Sequence, residues 1–128
     1  MTSRQMENTI VLLAFHFTGV AGVAESTAAS DVENGRKIFT VCAACHAADQ
    51  PARTGPDLRG VIGRKAGSLP GFRYSRALKN AKLVWNDATL DAYLADPQSA
   101  LPGNTMPFPG LPDAAQRFAL IAYLKTLK

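Results

Sequence analysis

Cys42-Ala43-Ala44-Cys45-His46 is the stretch on which the reading of this chain turns. It holds both cysteines of the 128 residues and one of the two histidines. The other, His16, lies in an apolar run near the N-terminus. A thioredoxin-like redox pair also uses Cys-x-x-Cys, but at a helix start within a βαβ pattern, and no such pattern surrounds this one. A structural zinc site takes four protein ligands as a rule, and this motif offers three. A plain disulfide suits an oxidising compartment but leaves His46 without a role.

Covalent haem attachment uses all three residues. The two thiols add across the two haem vinyl groups, and two intervening residues let one turn of chain span that distance. The next residue then points its imidazole at the iron. A sixth ligand is needed, or an open site. After Met1 and Met6 the next methionine is Met106, in Leu101-Pro102-Gly103-Asn104-Thr105-Met106-Pro107-Phe108-Pro109-Gly110. A methionine there can be core filler, yet this segment has no helical or strand periodicity, and its prolines and glycines fix its shape. A rigid loop is what holds a weak thioether on iron, and thioether ligation raises the reduction potential.

The length allows one domain. The run from Ile10 to Ala24 is too short for a membrane span, which takes roughly 20 residues, and suits the apolar core of a secretory signal. Residues 1–24 are therefore read as a signal peptide, with cleavage after Ala29 or retention as an anchor as the alternatives. Residues 25–29 are a linker and 30–128 the domain. Arg4 is offset by Glu7 and His16 interrupts the apolar run, both unusual for a signal. Removal of residues 1–24 takes away one arginine and one glutamate and leaves the net charge at +4. That mild positive charge suits an acidic partner or a membrane surface. Nucleic acid is not expected, because the charges are scattered and no helix carries a basic stripe with interleaved aromatics.

Periodicity gives an all-α domain of three to five helices joined by long loops. Ser30-Asp31-Val32-Glu33 reads as a capping box that starts a helix running to about Val41. Gly35 inside it costs up to ~1 kcal/mol, which a close helix crossing would explain. A short helix is expected from Tyr74 to Asn80. Another follows Asn86 and Asp87, with Leu90, Tyr93 and Leu94 as its apolar face, and ends at Asp96 before Pro97. The last starts near Pro112-Asp113, with Gln116 completing a capping-box pattern, and buries Leu120, Ile121, Leu124 and Leu127. The stretch from Ala47 to Gly71 is loop. Such loops are suspicious in an ordinary core, but a haem gives them something to wrap.

These residues together form a longer pattern. Gly35…Phe39-x-x-Cys42-x-x-Cys45-His46 is followed by Gly55-Pro56-x-Leu58-x-Gly60 and Gly63-Arg64. Gly71-Phe72-x-Tyr74, Trp85, Tyr93-Leu94-x-x-Pro97, Pro102-Gly103-x-x-Met106-x-Phe108 and Leu120-Ile121-Ala122-Tyr123-Leu124 come after. In this the chain resembles the class I c-type cytochromes, in the branch of mitochondrial cytochrome c and bacterial cytochrome c2. The resemblance implies the cytochrome c fold around one haem c bound through Cys42 and Cys45, with His46 and Met106 as the iron ligands. It also implies that the Pro56 carbonyl orients the proximal imidazole. Tyr74 and Trp85 would donate to a buried haem propionate, with Arg64 nearby. Tyr93 would lie near the Met106 sulfur, Phe108 would cover the haem edge, and Gly35 and Phe39 would pack on Leu120 and Tyr123. Taken one at a time, Trp85 and Tyr74 read better as ordinary core aromatics with satisfied polar tips, Arg64 reads as well as a solvated surface charge, and Phe108 as simple packing.

The chain departs from that branch at Leu78, where an asparagine is usual, and at Asn104, where a threonine is usual. Val41 and Ala44 replace lysines beside the haem-binding motif, so the basic docking ring is thinner. The function expected is a monomeric, soluble one-electron carrier of the periplasm, and not an enzyme. It would dock at the exposed haem edge with a quinol-oxidising complex, a terminal oxidase or a dehydrogenase, and meet the membrane only through these partners or an uncleaved N-terminus. The rival readings are a five-coordinate haem protein with peroxidase or gas-binding activity, and a haem-bearing sensor or docking module of a larger assembly.

Overall fold

The computed structural model describes residues 21–46 and 54–128. The expected signal segment up to residue 20 and part of the loop after His46 lie outside the described residues. Five helices follow in order: α1 (Ala21–His46), α2 (Arg76–Asn80), α3 (Asp87–Ala95), α4 (Pro97–Ala100) and α5 (Ala114–Leu124). Among the described residues there is no strand, only an isolated antiparallel bridge between Lys65 and Val84. The all-α expectation holds, and long loops join the helices.

The helix limits differ in instructive ways. α1 does not begin at the expected capping box. It is already running at Ser30, whose hydroxyl donates 2.7 Å back to the Thr27 carbonyl, a bond that serves inside a helix. Glu33 pairs with Arg36 at 2.7 Å instead of capping. The far end also runs past Val41 to His46, because alanines between the two cysteines favour helix. α2 is shorter than expected, since Ser75 caps it by accepting from the Leu78 amide at 3.2 Å. Asn86 caps α3 in a reciprocal box with Thr89. Asp96 ends α3 and caps the unforeseen α4, accepting from the Ser99 amide at 3.1 Å, with Pro97 at the first helical position. At α5 only half the expected box forms: Asp113 accepts from the Gln116 amide at 3.0 Å.

The core joins the expected apolar faces. Leu90, Tyr93 and Leu94 of α3 are buried with Leu120, Ile121 and Leu124 of α5. α1 crosses α5 at Gly35, where any side chain would overlap the Ala119 carbonyl and lie 2.7 Å from the Tyr123 Cβ. One turn on, the Phe39 and Tyr123 rings meet with centroids 5.2 Å apart. This crossing explains the helix-interior glycine and fixes the end of α1 over the core. Arg117 locks the other end of α5, reaching Asp91 at 2.7 Å and the carbonyls of Leu111 and Pro112.

Candidate haem site

The last turn of α1 carries Cys42, Cys45 and His46 into the wall of a cavity of about 380 Å3. Pro56, Arg64, Tyr74, Trp85, Tyr93, Met106 and Phe108 line the same cavity. Separate stretches of chain thus bring every residue expected to bind the haem to one place. The rest of the lining is largely aliphatic, including Leu58, Val61, Leu78, Leu94 and Leu120. A volume of this size suits a bound cofactor.

His46 is held in one tautomer. Its Nδ1 lies 2.7 Å from the Pro56 carbonyl, which only accepts, so Nδ1 carries the proton and Nε2 the lone pair. Burial pushes the imidazole below the ordinary histidine range and outweighs the opposing pull of the Pro56 carbonyl. The ring is therefore neutral, as a metal ligand must be. The Gly55 amide donates to the Cys45 carbonyl at 3.0 Å and ties this loop to the end of α1.

Cys42 and Cys45 form no disulfide, and both are half-buried. Burial first, then the neighbouring Cys45, raises the Cys42 thiol above its ordinary range. Trp85 is 8% exposed and packs on Tyr93 with ring centroids 5.0 Å apart. Its indole N–H meets no acceptor among the described residues, although buried indoles normally find one. Tyr74 packs edge-on against Phe72 at 4.8 Å. Arg64 donates to the backbone carbonyls of Asp57 at 2.7 Å and Arg59 at 3.1 Å, so it braces its own loop while lining the cavity. The Tyr93 hydroxyl lies 3.4 Å from Asn104 Oδ1 and 4.0 Å from Met106 Sδ, and burial pushes it up to about 12.

Paired thiols, a neutral imidazole with a free Nε2, an unpartnered buried indole N–H and aliphatic walls together fit a haem. Two further contributors escaped the reading of the site. Gly55 touches the His46 ring, and its position directly before Pro56 was the available signal. Asn104 stood out only as a departure, yet it is a buried polar residue bonded to the Met106 segment.

A family model described as cytochrome c matches residues 32–128. This chain belongs to the cytochrome c family. It is 47% identical over 102 residues to cytochrome c2 of Rhodoblastus acidophilus, covering 78% of this chain and 95% of that one. It is equally identical, at 47% over 98 residues, to cytochrome c of Sesamum indicum, covering 74% and 88%. The solved structure of cytochrome cH from Methylobacterium extorquens superposes with a TM-score of 0.71 at 44% identity, covering 75% of this chain and 98% of that one. As a cytochrome c, the chain has the all-α fold of the family and holds one haem c covalently through Cys42 and Cys45. It is an electron carrier, which sets the peroxidase reading aside. No helix among the described residues is long and apolar enough to cross a membrane.

Proposed function

We propose that this cytochrome c is a soluble, exported one-electron shuttle of the periplasm, with its iron held between His46 and Met106. The observation that carries the reading is that His46, with Nε2 uncommitted, and Met106 line one cavity whose walls also hold both cysteines. When bound, the haem supplies a one-electron Fe(III)/Fe(II) couple.

The protein supplies position and environment. Pro56 fixes the tautomer of His46, and Gly55 leaves room for the ring. The aliphatic lining keeps water from the metal, and a thioether at Met106 favours the reduced state and a high potential. Trp85 would offer its indole N–H, and Tyr74 its hydroxyl, to a haem propionate, whose burial unpaired would be costly. Phe108, which lines the cavity, would cover the haem edge where electrons leave. Were His46 and Met106 both to hold the iron, no substrate would need to reach it.

Partners are redox proteins that dock at that edge: a quinol-oxidising complex, a terminal oxidase or a dehydrogenase. Exposed Lys79 and Lys82 and the net positive charge favour acidic faces on them, so docking weakens with salt. The test of the ligand pair is the visible spectrum of the holoprotein, oxidised and reduced. A weak long-wavelength band from methionine sulfur on Fe(III), with sharp low-spin bands on reduction, is the expected result. A high-spin ferric spectrum without that band would remove Met106 from the iron.

A further inference from the structure

Asn104 is a buried polar residue, 6% exposed, in a core that is otherwise apolar among the described residues. Each part of its side chain is used. Nδ2 donates to the Pro97 carbonyl at 2.7 Å and to the Leu101 carbonyl at 2.9 Å. Oδ1 accepts from the Met106 amide at 3.1 Å and faces the Tyr93 hydroxyl at 3.4 Å. Its backbone carbonyl accepts from Gln98 Nε2 at 3.3 Å. One carboxamide therefore joins α3, the start of α4 and the methionine segment.

We infer that Asn104 is a positioning residue for Met106, acting as a direct carboxamide clamp that holds the thioether over the metal. The inference rests on the proposed His46/Met106 ligation. The two Nδ2 bonds alone would close the turn from Pro97 to Asn104. The Oδ1 side does what a turn does not need: it fixes the Met106 backbone and takes the Tyr93 hydroxyl. That hydroxyl lies nearer to the carboxamide oxygen than to the sulfur, and oxygen is the stronger acceptor. The carboxamide thus shares the hydroxyl with the Met106 sulfur, which takes only the longer contact at 4.0 Å. Leu78, which lines the same cavity, offers no polar group to share the task.

The test compares ferric holoproteins of the wild type, Asn104→Ala and Asn104→Asp, with imidazole as a competing ligand for the sixth position. Both variants are expected to bind imidazole about tenfold more tightly, the equilibrium weight of one or two ordinary hydrogen bonds. Their long-wavelength band should weaken as well. Affinities within twofold of wild type in both would overturn the clamp. Amide exchange in the reduced wild type needs no variant to fold. The Met106 amide is expected to be strongly protected through Oδ1, and exchange at the rate of an exposed loop would overturn the inference. The two readings fail separately. A wild-type spectrum without the band ends the ligation reading, whereas a normal band with unchanged imidazole binding in the variants ends only the clamp.

Discussion

Gly55 lies against the ring of His46 so closely that a methyl group in its place would sit 2.6 Å from Cε1 and 2.7 Å from Nδ1. Real atoms do not approach that far, so either the ring or the loop must move. Gly55→Ala should turn the imidazole away from the Pro56 carbonyl and misplace Nε2. The expected outcome is a lower yield of haem-bearing protein and a shifted reduction potential in what is recovered. Wild-type yield and potential would show that the loop yields instead of the ring.

Gly35→Ala tests the middle of the helix that carries His46. The new methyl would meet the Ala119 carbonyl and the Tyr123 Cβ, and a backbone atom cannot swing aside. Overpacking typically costs roughly 1–3 kcal/mol, and this site should reach or exceed the top of that range. Denaturant titration of the holoprotein measures it. The visible spectrum of the folded fraction reports whether the strain reaches the cavity, which Phe39 and Leu120 of the same crossing line; a shifted spectrum is expected if α1 moves to relieve the overlap.

Tyr93 gives stability an alkaline limit. Its phenol ionises at about 12 in the fold and near 10 in the unfolded chain. The unfolded state therefore loses its proton first as pH rises. Stability from this residue is intact below pH ~10 and falls through the window up to about 12. Thermal melts across that window should show wild type losing more stability than Tyr93→Phe. Parallel curves would mean that the hydroxyl is not buried in solution.

Without attached haem the chain should not fold. Without haem, the aliphatic residues lining the 380 Å3 cavity have nothing to pack against, and a typical domain has only about 5–15 kcal/mol of stability to lose. A double variant, Cys42→Ala with Cys45→Ala, produced without haem, is expected to show little helical circular dichroism and no cooperative melt. A sharp thermal transition in that chain would refute the expectation.

The site was more legible in the sequence than the helix ends were. Chemistry restricts residue types sharply: two thiols and an imidazole at fixed spacing admit few uses, and a methionine among prolines is conspicuous. Helix ends depend on competition between similar local options. Ser30 and Glu33 carry the letters of a capping box, but a helix entering from the N-terminal side absorbed both into its interior. Asp96 served two helices at once, which no single-helix pattern anticipates. Asn104 was seen as a missing threonine, because hydrogen bonds reaching back to Tyr93 and Pro97 have no signature in the local run.

The two sides of the cavity are built to different stiffness. Cys42, Cys45 and His46 sit on the final turn of a 26-residue helix that is interlocked with α5 through Gly35 and Phe39. Met106 sits on a non-helical segment fastened by side-chain hydrogen bonds. Heat, denaturant or mechanical load will therefore be relieved on the Met106 side first, while the helical side keeps its grip. Damage to this molecule should be graded and self-repairing: a slackened loop can re-seat itself on a cofactor that never left.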